Sequence, residues 1–307
     1  AAALISPRLF GNLVAEHIKN VFHKISLYAD DVLLYLTEPK STIPHLKELI
    51  SQYGFYSGYK INIEKTEAMD VNGTISDFIK VQSGCKWPKN GIKYLGIQIP
   101  PLLCDLYEAN YSKLLRVIKN DLERWDTLPI SLIGRVESIR MNVLPRLLYL
   151  FQMLPVEIPK STFDTLDKMI TGFIWQKRQP RIRLKTLQLP KPKGGLKLPN
   201  FKYYYWAAQL KPLLVWLQNS ADTRWLEIEE SRCSIPLQTL PFLDTPAKEM
   251  TIWTKNTLKV WNKIQSTFKL SKQISLLSNI GYMKTFTPNN LDSGFKNWSN
   301  YGLSHIH

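Results

Sequence analysis

Two adjacent aspartates, Asp30 and Asp31, lie in the middle of an apolar, β-prone stretch that runs from Ile25 to Tyr35. Apolar residues on both sides predict two buried strands, so the aspartates fall at or near the connection of a hairpin. Adjacent carboxylates repel each other and lose hydration on burial. Mg²⁺ offsets this cost because it binds carboxylate and phosphate oxygens, and nucleotidyl transfer uses two such ions. The alternative is a polar turn whose aspartates bond to their own backbone.

Three motifs in a fixed order carry a family resemblance. The segment Tyr28-Ala29-Asp30-Asp31 resembles the active-site motif of reverse transcriptases. The segment Ser57–Thr66 resembles the next motif of the polymerase palm, and Lys93–Ile99 resembles the hairpin that grips the primer end. The sequences of these motifs resemble those of non-LTR (LINE-type) retrotransposon polymerases, and the similarity continues to about Tyr205.

The resemblance implies a role for each matching residue. Asp30 and Asp31 would bind Mg²⁺, and Tyr28 would flank the primer end. Lys65 would stand near the pyrophosphate leaving group and could donate a proton; a solvated charge at a strand edge is the alternative. The residues implied to contact the primer are Tyr94, Leu95 and Gly96. An RNA template and a DNA primer, or another nucleic acid, would be the partners.

Composition favours a globular chain with a polyanionic partner. Among 307 residues, 40 are basic and 25 acidic, which gives a net charge of +15, and 44% are hydrophobic. The cysteines Cys85, Cys104 and Cys233 are too widely spaced for a zinc ligand set. Their odd number favours a reducing, intracellular setting, cytoplasmic or nuclear. No apolar run approaches membrane-spanning length.

Local patterns predict the elements of the first hundred residues. A helix begins near Ser6-Pro7 and carries Leu9, Leu13, Ile18 and Val21 on a rough apolar face. A second amphipathic helix covers 42–59 and ends near Gly58. Strands are predicted over 60–69 and 92–99, with Gly96 permitting a close backbone approach.

The pattern is helical after Pro100. One apolar stripe runs from Tyr111 to Trp125, and a helix starting at Ser131 is interrupted at Pro145. Ser161 with Asp164 predicts a capping box. Asn200 is predicted to cap the next helix, and one more amphipathic helix covers 253–268.

The predicted fold class is α+β: a partial polymerase palm with a small antiparallel sheet, followed by an all-α thumb and a helical C-terminal region. The predicted domains are a partial palm at 1–100, a helical thumb with a basic loop at 101–200, and a helical post-thumb region at 201–307.

Positive charge is concentrated between residues 160 and 197, which hold ten basic residues against Asp164 and Asp167. This net +8 is about half of the excess of the whole chain. Proline and Gly194-Gly195 nearby predict an exposed basic loop that would contact phosphates without reading sequence. Its central residues are Lys177, Arg178, Arg181, Arg183 and Lys185. The alternative is a solvated charge run.

These features together predict the second half of a LINE-type reverse transcriptase. The first palm aspartate of the family, its fingers and its template loop have no counterpart in the sequence, so we expect the chain to be inactive as a polymerase by itself. The alternatives are a non-catalytic, basic nucleic-acid-binding remnant and a non-functional product of a decayed element. The sequence makes no prediction of oligomeric state.

Overall fold

The computed structural model of the chain describes residues 16–18, 21–23, 25–36, 38–71, 73–218, 224–233, 235–243, 250–270, 294, 297 and 301. Two compact units divide the chain, Ala1–Lys113 and Leu114–His307. In its described part the first unit combines antiparallel hairpins with helices, and the second unit is helical. The α+β class predicted from the sequence is therefore confirmed.

Three two-stranded antiparallel hairpins occur among the described residues of the first unit. They are β1 (Glu16–Ile18) with β2 (Val21–His23), β3 (Ile25–Tyr28) with β4 (Asp31–Leu34), and β5 (Ile92–Tyr94) with β6 (Ile97–Ile99). The predicted N-terminal helix is wrong at Ile18 and Val21, which lie in β1 and β2. β-Branched residues and the neighbouring Phe22 favour strands there. The start of that helix lies outside the described residues.

The hairpin at the two aspartates is confirmed, but the expected burial of its strands is wrong. Leu27 and Tyr28 are exposed, and the other apolar residues of β3 and β4 are only half-buried. Within the described residues this sheet has two strands and leaves both faces partly open to solvent.

The helix predicted over 42–59 is confirmed as α1 (Pro39–Ser57). It begins three residues earlier because the Glu38 carbonyl oxygen accepts hydrogen bonds from the hydroxyls of Ser41 and Thr42. It ends at Gly58, whose φ of 73° is a left-handed conformation that glycine adopts readily.

The strand predicted over 60–69 is wrong. A 3₁₀ helix, Ile63–Lys65, occupies its centre, because the Asn62 carboxamide oxygen accepts the Lys65 amide at 3.1 Å. Local capping by asparagine competes with strand pairing. An isolated bridge between Glu67 and Lys86 is the strand-like pairing that the described residues retain here.

Two acidic side chains fix the loops between this region and β5. Glu67 Oε2 accepts the backbone amide of Lys93 at 2.9 Å. The Asp70 carboxylate accepts three backbone amides, from Gly73, Thr74 and Ile75, at 2.8–3.3 Å. The short helix α2 (Asp77–Ser83) follows this loop. Carboxylates thus replace backbone pairing where the chain is irregular.

Most of the helices among the described residues lie in the second unit, the first of them beginning at the unit boundary. They are α3 (Lys113–Asp126), α4 (Leu132–Ser138), α5 (Leu144–Met153), α6 (Lys160–Ile174), α7 (Leu184–Leu187), α8 (Phe201–Gln209), α9 (Lys211–Gln218), α10 (Arg224–Ser231) and α11 (Ile252–Phe268). The predicted helices at Asn200 and over 253–268 are confirmed. Ile118 and Leu122 of the predicted α3 stripe are buried.

The predicted interruption at Pro145 is wrong. The predicted helix start at Ser131 is confirmed, with Ser131 as the N-cap of α4. Helical structure then continues from α4 through a π-helical turn (Ile139–Val143) into α5. Pro145 lies in the first turn of α5, directly after the π turn. The wider turn and the first-turn position make the missing proline N–H tolerable.

The predicted capping box at Ser161 is also wrong. Helix α6 begins at Lys160, and Pro159, which makes no side-chain cap, precedes it. Proline with its fixed φ starts this helix without a hydroxyl cap. The apolar stripe predicted for α6 is confirmed, since Phe163, Leu166 and Ile170 are buried.

A buried guanidinium holds the start of the second unit together. Arg135 is 1% exposed and bonds to the Asp126 carboxylate at 2.8 Å. Its other N–H groups bond to the carbonyl oxygens of Ile130, Phe173, Asp126 and Leu128 at 2.9–3.4 Å. The Phe173 ring lies 4.8 Å from the guanidinium carbon. One side chain therefore joins α3, the 127–131 loop, α4 and α6.

A second polar cluster joins α5, α8 and α11. Gln209 is fully buried, and its amide nitrogen donates to the carbonyl oxygens of Phe151 (2.5 Å) and Leu154 (2.9 Å). Its amide oxygen accepts from Asn256 at 2.8 Å, and Thr257 donates to its carbonyl oxygen at 3.1 Å. These bonds provide donors for carbonyl oxygens at the C-terminal end of α5.

The last described helices share an apolar cluster. Trp216, Leu226, Leu237 and Leu258 belong to it. At its edge the buried Glu229 accepts hydrogen bonds from the hydroxyls of Thr251, which caps α11, and of Thr254. The described helices after Trp216 therefore pack around a common apolar core.

We expect Arg135→Met to lower the free energy of unfolding of the second unit by about 3–5 kcal/mol, because Asp126 and several carbonyls lose a buried partner. Denaturant titration of the full chain, followed by circular dichroism, measures this. Arg124→Met is the matched control: Arg124 is exposed and pairs with Asp121, so its loss should cost less than about 1 kcal/mol. Equal losses for both variants would contradict the anchoring role.

We expect Asp70→Asn to reduce stability near neutral pH and to have little effect in acid. Burial opposes the charge, but amides of Ile75, Gly73 and Thr74 and the Lys80 ammonium lower the pKa of Asp70. A carboxylate whose pKa is lowered by folding stabilises the protein at pH values above its ordinary pKa of about 4. This stabilisation is lost as the pH falls through the folded-state pKa. Thermal unfolding from neutral to acid pH, with the fully exposed Asp77→Asn as control, tests this; a pH-independent difference would contradict it.

Candidate active-site hairpin and nucleic-acid interface

The tip of the β3–β4 hairpin presents the two aspartates to solvent. Tyr28 pairs with Asp31 in the strand register, and Ala29 and Asp30 form the turn between them. Ala29 has a φ of +49°, a left-handed conformation that costs a non-glycine residue about 1–2 kcal/mol. The paired strands hold this turn. Asp30, Asp31 and Tyr28 are exposed, Tyr28 to 64%.

The β5–β6 hairpin has a tight two-residue turn. Tyr94 pairs with Ile97, and Leu95 and Gly96 connect them with φ values of +46° and +81°. Two consecutive residues with positive φ match the twist of paired strands. Gly96 adopts this conformation without strain, whereas Leu95 does so at a cost. Residues near the turn remain accessible: Gly96 is exposed, and Tyr94 and Leu95 are half-buried.

An asparagine that the sequence did not single out braces this second hairpin. Asn110 is buried, accepts the Gln98 amide at 2.9 Å and donates to the Gln98 carbonyl oxygen at 2.8 Å. It thereby pairs with β6 as a strand would. Its sequence signal is weak, because asparagine in a helical segment is usually a solvated residue.

Tyr94 lies within electrostatic range of the β3–β4 hairpin. Burial, followed by the electrostatic influence of Tyr35 and Asp31, raises the pKa of the Tyr94 phenol. Charges act over several ångströms without contact, so this shift indicates that the side chains are near one another and defines no contact between them. The position of Tyr35 directly after β4 is a feature that the sequence already offered.

No interaction among the described residues links Lys65 to either hairpin. It lies in the 3₁₀ turn Ile63–Lys65 and is exposed, and its ammonium makes neither a hydrogen bond nor an ion pair with another described residue. The geometry therefore leaves its predicted role in proton donation as a prediction.

The donor chemistry at the hairpin tip fits a hard divalent cation in part. Asp30 and Asp31 offer carboxylate oxygens at an exposed turn, where water or phosphate oxygens can complete an octahedral shell. Among the residues that the structure describes, no group of three or more histidine, cysteine, aspartate or glutamate side chains gathers into a metal site. Two carboxylates supply only a part of the ligands that two ions require.

The basic segment of the second unit, Lys177–Lys197, starts where α6 ends. Gln176 and Lys177 both have positive φ, and the Lys177 amide bonds to the Gly172 carbonyl oxygen at 2.8 Å. The chain then runs through an exposed loop into the single turn α7. The loop contains Arg178, Arg181 and Arg183, and α7 contains Lys185. The predicted exposed loop is confirmed, with a short helix added.

A rigid turn closes the basic segment. The 3₁₀ helix Lys191–Lys193 leads into Gly194, and Gly195 packs so tightly that a Cβ would lie 2.0 Å from the Leu189 carbonyl oxygen. The Leu187 carbonyl oxygen accepts the amides of Leu196 and Leu198, both at 3.0 Å. This turn fixes the backbone positions of Lys191, Lys193 and Lys197.

All ten basic residues between 160 and 197 are exposed. Within the described part of the chain, Lys177 alone among them has an ion pair, with Asp126 at 4.0 Å. Side chains without carboxylate partners are available for phosphates. The charges that the sequence clusters therefore remain clustered at the surface.

None of the helices that the structure describes is both long enough and apolar enough to cross a bilayer.

Comparison with known families identifies the segment that carries both hairpins. Residues 3–99 match the family model described as reverse transcriptase (RNA-dependent DNA polymerase). The match includes the Tyr28–Asp31 and Ser57–Thr66 motifs and ends at Ile99, the last residue of β6; the helices of the second unit lie beyond it. The N-terminal third of the chain is thus similar to reverse transcriptases.

Proposed function

We propose that this chain acts in template-directed nucleotidyl transfer, as part of an RNA-directed DNA polymerase of the non-LTR (LINE-type) retrotransposon class. The observation that carries the proposal is the exposed pair Asp30 and Asp31 at the tip of a hairpin, inside the segment that matches reverse transcriptases. The hairpin at Tyr94 lies in the same matching segment. A polar turn that only caps itself gives no reason for such a match.

In this proposal each hairpin has its own task. Asp30 and Asp31 hold Mg²⁺, which when bound supplies positive charge to the phosphate oxygens of the incoming nucleotide. Tyr28 is the strand partner of Asp31 and flanks the primer end. The turn at Tyr94, Leu95 and Gly96 contacts the primer backbone. Lys65 is the proposed proton donor to the leaving pyrophosphate.

We further propose that the hairpin does not complete the catalytic site without another carboxylate. Two ions in octahedral geometry need more oxygen ligands than Asp30 and Asp31 provide, even with phosphate and water. The absence of a larger ligand group among the described residues supports this view. The 307-residue chain by itself is therefore expected to bind a primer–template without extending it.

The second candidate function is nucleic-acid binding without chemistry. The exposed basic segment favours it, since loop arginines and lysines held by a rigid turn can contact phosphates regardless of base sequence. If the chain acts in a polymerase, as proposed above, the same segment belongs to a thumb that contacts the duplex. The two candidates share this surface and differ in whether Asp30 and Asp31 contribute.

We expect the wild-type chain to bind an RNA template annealed to a DNA primer and to add no nucleotides in Mg²⁺. The Asp30→Asn variant should bind equally well, because Asp30 does not contact the duplex in this proposal. Gel analysis of primer length and fluorescence anisotropy in the same samples measure both properties. Extension by the wild type that disappears in Asp30→Asn would overturn the incompleteness and keep the polymerase assignment.

Metal binding at the hairpin tests the polymerase assignment without requiring turnover. Mn²⁺, a paramagnetic substitute for Mg²⁺, should bind to the wild type and lose affinity in the double variant Asp30→Asn, Asp31→Asn. Asp77→Asn removes a fully exposed carboxylate of the same unit and serves as the control. Electron paramagnetic resonance of free Mn²⁺ gives the affinities. Unchanged binding in the double variant would reject the catalytic role and leave the binding function.

We expect the triple variant Arg178→Gln, Arg181→Gln, Arg183→Gln to bind duplex more weakly at low salt. The slope of log affinity against log salt should fall by about three, one for each lost phosphate contact. Anisotropy titrations over a range of salt concentrations measure the slope.

A matched control has the same change of charge at other exposed sites of the chain: Lys113→Gln, Lys119→Gln, Lys211→Gln. This variant should keep the wild-type slope. Equal reductions in both triple variants would attribute binding to net charge alone and reject the basic segment as the interface.

A further inference from the structure

An exposed aromatic cluster lies where the start of α8 meets the end of α11. Its members are Tyr203, Trp206 and Phe268, with ring centroids 5.6 Å (Tyr203–Trp206), 6.1 Å (Tyr203–Phe268) and 6.5 Å (Trp206–Phe268) apart. Trp206 is buried, whereas Tyr203 is 47% and Phe268 53% exposed. We call these three residues the aromatic platform. A buried indole thus supports two rings that solvent reaches.

Cationic side chains lie on the two helices that form the platform. The Lys202 ammonium lies 4.4 Å from the centre of the Trp206 ring, and Lys269 follows Phe268 directly. Neither α8 nor α11 contains an acidic residue, and α11 adds Lys255, Lys259 and Lys263. Glu157 pairs with the last two of these. The surface therefore joins exposed rings with an excess of cations.

We infer that the aromatic platform binds unpaired bases of single-stranded nucleic acid by stacking on Tyr203 and Phe268. Every base has a π face, so such stacking tolerates any sequence, and nearby lysines contact the backbone. A duplex hides its base faces and would gain little here. The inference rests on the proposed nucleic-acid binding and adds a second contact, separate in sequence from the basic segment.

Charge favours this occupant over an apolar protein surface. The cationic surroundings of the platform suit a polyanion, and Tyr203 lies on a helix without any carboxylate to oppose phosphates. Lys202 is already stacked on Trp206, which shows that this cluster accepts a cation–π arrangement. Tyr203 is 47% and Phe268 53% exposed, and this accessible surface is available to bases.

The test compares three probes on the full chain: single-stranded oligouridine, an abasic strand of the same phosphate number, and an RNA–DNA duplex. We expect Tyr203→Leu and Phe268→Leu to weaken oligouridine binding by about 5- to 100-fold each. Neither should change binding of the abasic strand or the duplex. Tyr203→Phe keeps the ring and should bind as the wild type does.

Circular dichroism melting confirms that each variant remains folded, and crosslinking with 5-iodouridine followed by peptide mapping locates the contact independently of any substitution. Equal binding of oligouridine and the abasic strand by the wild type would overturn the inference. So would crosslinks that avoid α8 and α11. Loss of salt-dependent duplex binding in the arginine triple variant, with Tyr203→Leu unaffected on all probes, would reject the platform alone. No binding of any probe by the wild type would reject the proposed function itself.

Discussion

The buried guanidinium of Arg135 is the constraint on which the described helical unit depends. A fully buried cation is tolerated only when its charge and all of its donors are satisfied. Here the Asp126 carboxylate and carbonyl oxygens from three separate segments meet that demand. Because guanidinium is planar, its donors fix the directions of these segments as well as their proximity. Apolar packing around Ile118 and Ile170 then fills the space that this geometry defines.

The first unit uses the same principle with smaller groups. Its strands are short and half-exposed, and carboxylate or carboxamide side chains supply the pairing that a larger sheet would provide. The Asp70 carboxylate accepts an amide of the loop at Ile75, and Glu67 accepts the amide of Lys93 in β5. Asn110 accepts the amide of Gln98 in β6. Two of these bonds fix the β5–β6 hairpin, which carries Tyr94. The candidate site is therefore built from polar side chains that hold irregular backbone in place.

Much of the fold follows from local patterns in the sequence. Amphipathic helices, the turn at Asp30 and the exposed basic segment were predictable, because apolar periodicity and turn chemistry act over a few residues. The predicted strand over 60–69 was wrong because the Asn62 side chain accepts the Lys65 backbone amide and favours a local turn. The predicted break at Pro145 was wrong because a π turn directly precedes this proline. Sequence alone could not show that Gln209 ends helix α5, since its partners lie far away in the chain.

The Asp126 carboxylate forms two ion pairs, a short one with the buried Arg135 and a long one with the exposed Lys177. The buried Arg135 donates to one of the carboxylate oxygens at 2.8 Å, while the ammonium of the exposed Lys177 lies 4.0 Å from the other. An exposed pair of that length contributes little free energy. In the proposed function, Lys177 can therefore leave Asp126 for a phosphate group while Arg135 keeps its bond to the Asp126 carboxylate. Ligand binding at the basic segment would then leave the buried hydrogen bonds of Arg135 unchanged.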